Sequence, residues 1–213
     1  NKSGTIASNV DTSTTWTIPL DFANDIPNST SGTGTIYVDT YSDSTKTGTQ
    51  STTLTASVPT SVVPTINTKT VEETVAGLNT QFGAYVQNKS KIKATMTASG
   101  TDGSTINSYK ITANGETFDA ESGTTSELKT SGTNQVNFEV TDSRGRKATS
   151  YIDISVTAYE NPKILSVSAI RCNEDGTTND EGTYAKISFN ASVAPVGNEN
   201  TKAFIVKYKK TGS

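Results

Sequence analysis

The chain has 213 residues, a formal net charge of −3 and only 31% apolar residues. That apolar fraction excludes one large filled core and favours several thin sandwiches, each with a narrow apolar seam. The acidic balance excludes the basic face that nucleic-acid binding needs. No histidine occurs, which removes Ser-His-Asp triads, Cys-His pairs and histidine-based zinc sites together. The single cysteine, Cys172, cannot form an internal disulfide and reads as a small strand residue rather than a nucleophile. No apolar run approaches the ~18 residues of a membrane span. A disordered stalk is disfavoured by only 6 prolines and by regular hydrophobic alternation. The sequence starts at Asn1 with no initiating Met or signal peptide, so it is expected to be cut from a longer protein at both ends.

Residues 1–63 carry strand-like runs at 14–20, 33–41 and 51–58. Ile36 and Val38 point one way, while Tyr37, Asp39 and Tyr41 point the other. Trp16 and Ile18 are expected to plug the core of this segment. Pro19, Pro27 and residues 31–34 read as turns, as do residues 42–48. The segment is predicted to be an antiparallel β-sandwich or meander, incomplete on its N-terminal side. Pro59 and Pro64 bracket a linker through which a sheet cannot continue.

Residues 64–160 form the second predicted unit. Residues 71–76 fit a helical turn or a strand edge equally, and residues 82–86 read as a strand. Ile92, Ala94 and Met96 alternate with Lys91, Lys93 and Thr95, and Tyr109, Ile111 and Ala113 mark another inward face. Asp102-Gly103 and Asn114-Gly115 are hairpin-turn dipeptides. Val136, Phe138 and Val140 then face Ile152, Ile154 and Val156 across the turn Asp142-Ser143-Arg144-Gly145. About seven strands with turn signals every ~8–12 residues predict an immunoglobulin-like sandwich without its Cys-Trp-Cys core. Asn161-Pro162 opens a third predicted unit, residues 161–213, with strand-like runs around Ile164–Ile170, Ala185–Phe189 and Phe204–Tyr208. The strands expected here are too few for a sandwich, so it reads as truncated. The fold class is therefore all-β, built of tandem Ig-like or fibronectin-like β-sandwich domains.

Catalytic chemistry is sparse. Glu72 with Glu73 and Asp119 with Glu121 are the nearest carboxylate pairs, but no aromatic cluster shapes a sugar cleft around them. They read as solvated loop acids, and neither a catalytic residue nor a cofactor is assigned. The loop of residues 173–182 resembles a calcium site at first sight. Against an EF-hand template, Arg171 falls where the first acidic ligand belongs and Gly182 where the bidentate Glu belongs, so that template fails. A looser set of Asp175, Asn179 and Asp180 remains as a weak calcium candidate beside the plainer reading of Asx turns. Lys89, Lys91 and Lys93, and separately Arg144, Arg146 and Lys147, form basic spots. These read as solvated loop tips ahead of contacts with an anionic glycan or a neighbouring subunit. Lys91 and Lys93 are also expected to guard an edge strand. Arg144-Gly145-Arg146 is not an integrin-type Arg-Gly-Asp motif.

Several stretches in succession carry a resemblance. They are Ser31-Gly32-Thr33-Gly34-Thr35-Ile36 with Asp39-Thr40-Tyr41, then Val58-Pro59 to Pro64-Thr65-Ile66, and Val86-Gln87-Asn88-Lys89-Ser90-Lys91. Val140-Thr141-Asp142-Ser143-Arg144-Gly145-Arg146 follows, with Tyr159-Glu160-Asn161-Pro162 and the run from Asp175 to Tyr184. In this order they resemble the tandem Ig-like and fibronectin-like structural proteins of siphophages that infect Gram-positive bacteria, streptococcal in type, carried as a domain-of-unknown-function family. The resemblance implies a non-enzymatic tail or baseplate protein, located in the virion. Its partners would be other tail and baseplate proteins, with host cell-wall polysaccharide as a further one, and neither nucleic acid nor membrane. It supplies no functional residues. Two other settings fit the composition: a spacer or glycan-binding repeat of a Gram-positive surface adhesin, and an accessory region beside a carbohydrate-active enzyme.

Overall fold

The computed structural model describes residues 2–210; Asn1 and residues 211–213, the ends of the first and third predicted segments, lie outside them. The fold is all-β with several sheets. A 3-10 turn, Leu20–Asp25, precedes a two-stranded ribbon of β1 (Ser31–Ser42) and β2 (Thr45–Ser57). β3 (Thr65–Glu73), a one-turn helix α1 (Leu78–Phe82) and β4 (Tyr85–Val86) follow. Next come β5 (Ile92–Ser99), β6 (Ile106–Ala113), β7 (Glu116–Phe118) and β8 (Ser122–Thr124). The hairpin of β9 (Gly132–Asp142) and β10 (Lys147–Thr157) precedes β11 (Lys163–Cys172) and β12 (Tyr184–Ser192). Besides the β1–β2 and β11–β12 ribbons, there is a five-stranded sheet, β4-β10-β9-β6-β7, and a three-stranded sheet, β3-β5-β8. The five-stranded sheet gains its β4 edge by parallel pairing, Val156 with Tyr85 and Thr157 with Val86.

The chain falls into two compact units. The first comprises Asn1–Val71, Ala94–Gly123 and Val136–Ile152; the second comprises Glu72–Lys93, Thr124–Gln135 and Asp153–Ser213. In the first unit the expected inward faces are buried: Ala94 and Met96 on β5, Ile111 and Ala113 on β6, and Val136, Phe138 and Val140 on β9. Ile111 sits opposite Phe138 in the β6–β9 ladder, so these two buried side chains are direct cross-strand neighbours. A smaller cluster in the same unit joins Ala23, Val58 and Val62 with Ile26 packed against it. In the second unit Val86, Ile92, Leu128, Ile154 and Val156 are buried, together with Cys172 at the end of β11.

Local expectations change in six places. Residues 14–19 form no strand, and Trp16 and Ile18 are 38% and 39% exposed rather than buried. Trp16 instead meets Phe22 edge to face at 5.8 Å, because no neighbouring strand offers it a core. Residues 31–34 belong to β1 rather than to a turn; a Cβ on Gly32 would lie 2.8 Å from Ile26 Cγ2, so the glycine serves close packing. The β1–β2 connection shortens to Asp43-Ser44, with Asp43 at φ 51°. The run 82–86 splits into the end of α1 and the two residues of β4, because Gly83 at φ 60° closes the helix. Residues 204–208 form no strand, although Phe204 packs edge to face on Phe189 of β12 at 5.1 Å. β5 lies in the middle of its sheet, so Lys91 and Lys93 do not guard an edge.

Candidate functional site

The densest polar constellation lies in the first unit, at the turn between β9 and β10. The alternation that buries Val136, Phe138 and Val140 continues to Asp142, which is 1% exposed. Its Oδ1 accepts the backbone N–H groups of Arg144 (2.9 Å) and Arg146 (2.8 Å). The backbone closes around it, Asp142 N–H donating to the Arg146 carbonyl at 2.9 Å and Gly145 N–H to the Asp142 carbonyl at 2.9 Å. Gly145 takes φ 77°, which a residue with a side chain adopts only with strain. Asp142 Oδ2 is buried and accepts no hydrogen bond among the described residues. An Asx-type turn of this kind fixes the backbone of both arginines and so aims both side chains.

Arg144 is 7% exposed. Its Nη1 donates to the carbonyl of Thr101 at 2.8 Å, and its Nη2 donates to that of Ala23 at 2.8 Å and also to that of Asp102. Its Nε reaches the carbonyl of Ile26 at 3.3 Å. Arg146 takes the other side. Its Nη2 donates to the carbonyl of Val58 at 2.5 Å, and its Nη1 to those of Val62, at 2.8 Å, and Pro59. Between the two, Ser143 Oγ donates to the carbonyl of Pro27 at 2.6 Å and accepts Thr105 N–H at 3.1 Å. A guanidinium is the side chain that can do this, since it carries five donors in a rigid plane. Neither guanidinium takes part in an ion pair among the described residues; carbonyl dipoles surround the charge instead. The Asp102-Gly103 turn completes the junction: a Cβ on Gly103 would lie 2.7 Å from the Cα of Asn24.

Two expectations are corrected here. Arg144 and Arg146 are not solvated tip residues, and the stretch between Pro59 and Pro64 is not a free linker, since Arg146 grips it at residues 58, 59 and 62. The Ala23–Val58–Val62 cluster lies beside the same carbonyls, so apolar packing and guanidinium hydrogen bonds hold the same segments. The partners are backbone carbonyls, which carry no residue-type signature. The one signal in the sequence is Asp142, a carboxylate on the inward phase of an alternating strand.

The remaining candidates are dispersed. In the 173–182 loop, Asp175 Oδ1 accepts Thr177 N–H at 2.8 Å and Asn179 Oδ1 accepts Glu181 N–H at 3.0 Å. Asn179 Nδ2 donates to Asn173 Oδ1 at 2.8 Å, while Arg171 reaches the backbone carbonyl of Asp180 at 3.1 Å. The Thr177 N–H, and then its hydroxyl, hold the Asp175 carboxyl below its ordinary range. Among the described residues no three His, Cys, Asp or Glu side chains are grouped to hold a metal. Glu73 closes a loop in the second unit, its Oε1 accepting Val75 N–H at 2.9 Å and Lys91 N–H at 3.1 Å. Burial, and then the charges of Glu73 and Glu72, push the Tyr85 hydroxyl up. In the first unit, burial and then Glu121 push the Tyr109 hydroxyl up. Lys89 lies over the ring of Tyr159, 5.0 Å from its centroid, and Lys147 pairs with Glu139 at 2.9 Å.

No curated protein matches the chain. A protein-family model described as a siphovirus protein of unknown function, DUF859, matches residues 1–208.

Proposed function

Because the chain belongs to this siphovirus family, we propose that it is a non-enzymatic structural protein of the phage tail or baseplate. In this reading it contributes to virion architecture and also to host-surface adhesion. The observation that carries the architectural part is the Arg144–Arg146 junction. Its two most elaborate charged side chains are spent on backbone carbonyls, fixing residues 23–27 and 58–62 against the β9–β10 turn. Such a network rigidifies a joint, which suits a structural role. The three- and five-stranded sheets built from β3 to β10 support an Ig-like sandwich over residues 64–160. On this reading residues 1–63 precede that domain and residues 161–213 belong to another, in the tandem manner of streptococcal-type tail proteins. The family favours this over the surface-adhesin repeat. Its partners are then neighbouring tail and baseplate proteins, with a host wall polysaccharide as a further one.

Antibody labelling of purified virions under the electron microscope tests the placement. Label concentrated at the distal tail is expected. Particles that lack the protein, by labelling and by mass spectrometry, overturn it. Hydrolysis of host cell walls by the purified chain would overturn the non-enzymatic part.

A further inference from the structure

We propose that the outer face of the β1–β2 ribbon binds a neutral polysaccharide, with Tyr37 and Tyr41 as its stacking anchors. The inference gives the adhesion part of the reading above a location and rests on that part alone. The two faces of the ribbon differ in kind. The register places Thr33 opposite Thr55, Thr35 opposite Thr53, Tyr37 opposite Ser51 and Asp39 opposite Thr49. Every residue of this face is exposed, whereas the half-buried residues of the ribbon, such as Ile36 and Leu54, lie on the opposite face. Tyr37 and Tyr41 are 66% and 60% exposed. Four residues apart on one strand, they stand about 13 Å from each other, a span of a few sugar rings.

The bulge between Thr40 and Tyr41 leaves Tyr41 opposite Lys46, so the second tyrosine stays on the hydroxyl face. Lys46 reaches back to Asp39 at 2.9 Å on that same face, and Thr49 Oγ1 donates to Asp39 Oδ1 at 2.8 Å. The one carboxylate and the one ammonium of the face therefore neutralise each other. Lys46, and then Thr49, hold the Asp39 carboxyl below its ordinary range. What remains for a ligand is a flat field of hydroxyls with two aromatic rings. Tyrosine gives broad contact at low conformational cost, and short hydroxyl side chains give adaptable hydrogen bonds. A sugar ring presents the complement, an apolar C–H face and a rim of hydroxyls. With no unpaired charge on the face, a neutral polymer fits better than a polyphosphate.

The test uses the full chain in affinity electrophoresis and calorimetry against galactan, dextran and a rhamnose-glucose polysaccharide, with polyglycerol phosphate as the charged probe. Binding to at least one neutral polymer is expected. The Tyr37→Ala/Tyr41→Ala double variant should bind about tenfold more weakly or worse, and the Tyr→Phe double variant should bind nearly as well as the parent. Both positions are exposed, so unchanged circular dichroism and melting temperature should accompany the loss. No binding to any neutral polymer, equal binding by the alanine variant, or preference for polyglycerol phosphate would each overturn the proposal. A tyrosine-dependent dimer in light scattering would overturn it too, in favour of a protein partner. If cells still bind the alanine variant, adhesion stands and this site falls. If the polysaccharide binds but virions lack the protein, the site stands and the virion placement falls.

Discussion

The turn at Asp142–Arg146 and the loop at residues 173–182 are built from similar letters. Each joins two antiparallel strands, each holds Asp or Asn side chains over backbone N–H groups, and each has an arginine at hand. In the first, Asp142 and Arg144 are 1% and 7% exposed, and the guanidinium is consumed by carbonyls far along the chain. In the second, the bonds stay within the loop and its bordering strand, and the side chains stay in water. A polar turn becomes a structural centre when other segments bring it unpaired carbonyls, whatever its own composition. Where nothing arrives, the same chemistry only shapes the loop.

Substitutions should separate the two. The yardstick is Phe138→Ala in the core of the first unit, expected to cost about 3–5 kcal/mol in urea denaturation; a cost under about 1 kcal/mol would mean that Phe138 is not packed as described. Arg144→Ala should approach it, at about 3 kcal/mol, because several carbonyls lose a charged donor at once. Arg144→Lys should recover only part of that, since a point ammonium cannot span the same acceptors. A loss below about 0.5 kcal/mol for Arg144→Ala would erase the contrast between the two loops. Arg146→Ala should cost about 1–2 kcal/mol, given its more open setting. It should also speed protease cleavage around residues 58–64, seen by limited proteolysis.

In the exposed loop the effects should be local. Millimolar calcium should leave the melting midpoint unchanged; a clear rise would establish Asp175, Asn179 and Asp180 as ligands. Asp175, its carboxyl held low by the Thr177 N–H and hydroxyl, favours the folded loop above the ordinary carboxylate range, near pH ~3.9, and loses that contribution as pH falls through its lowered folded value. The amide resonance of Thr177 should therefore move with acid while the melting midpoint does not follow Asp175→Ala.

The strands were the legible part of this chain. Period-2 runs placed β1, β5, β6, β9, β10 and β12 near their positions, since a pleated strand writes its two faces into alternate residues. β5, β6, β9 and β10 bury one of those faces, whereas Ile164, Val167 and Ile170 of β11 and Ile187 and Phe189 of β12, expected to point inward, stay exposed. The tyrosine face of β1 was visible for the same reason. The opening segment was misjudged through Trp16, whose ring found Phe22 instead of a core. The run at 204–208 alternates too, yet alternation states what a segment could pair with and not whether a partner strand is there. The junction escaped for a deeper reason. Hydrogen bonds from a side chain to distant carbonyls depend on where the backbone passes, and Arg144 bonds to Ala23, 121 positions away. Only Asp142, polar on an inward phase, hinted at it.

The joint's choice of donor and acceptor has a consequence for the medium in which it must hold. Guanidinium groups keep their protons throughout the accessible pH range. Carbonyl acceptors do not titrate, and short buried contacts are little screened by ions. A joint made this way, with no disulfide and no ion pair among the described residues, asks nothing of redox state and little of salinity. Its geometry should stay the same inside a cell and in whatever fluid lies beyond it.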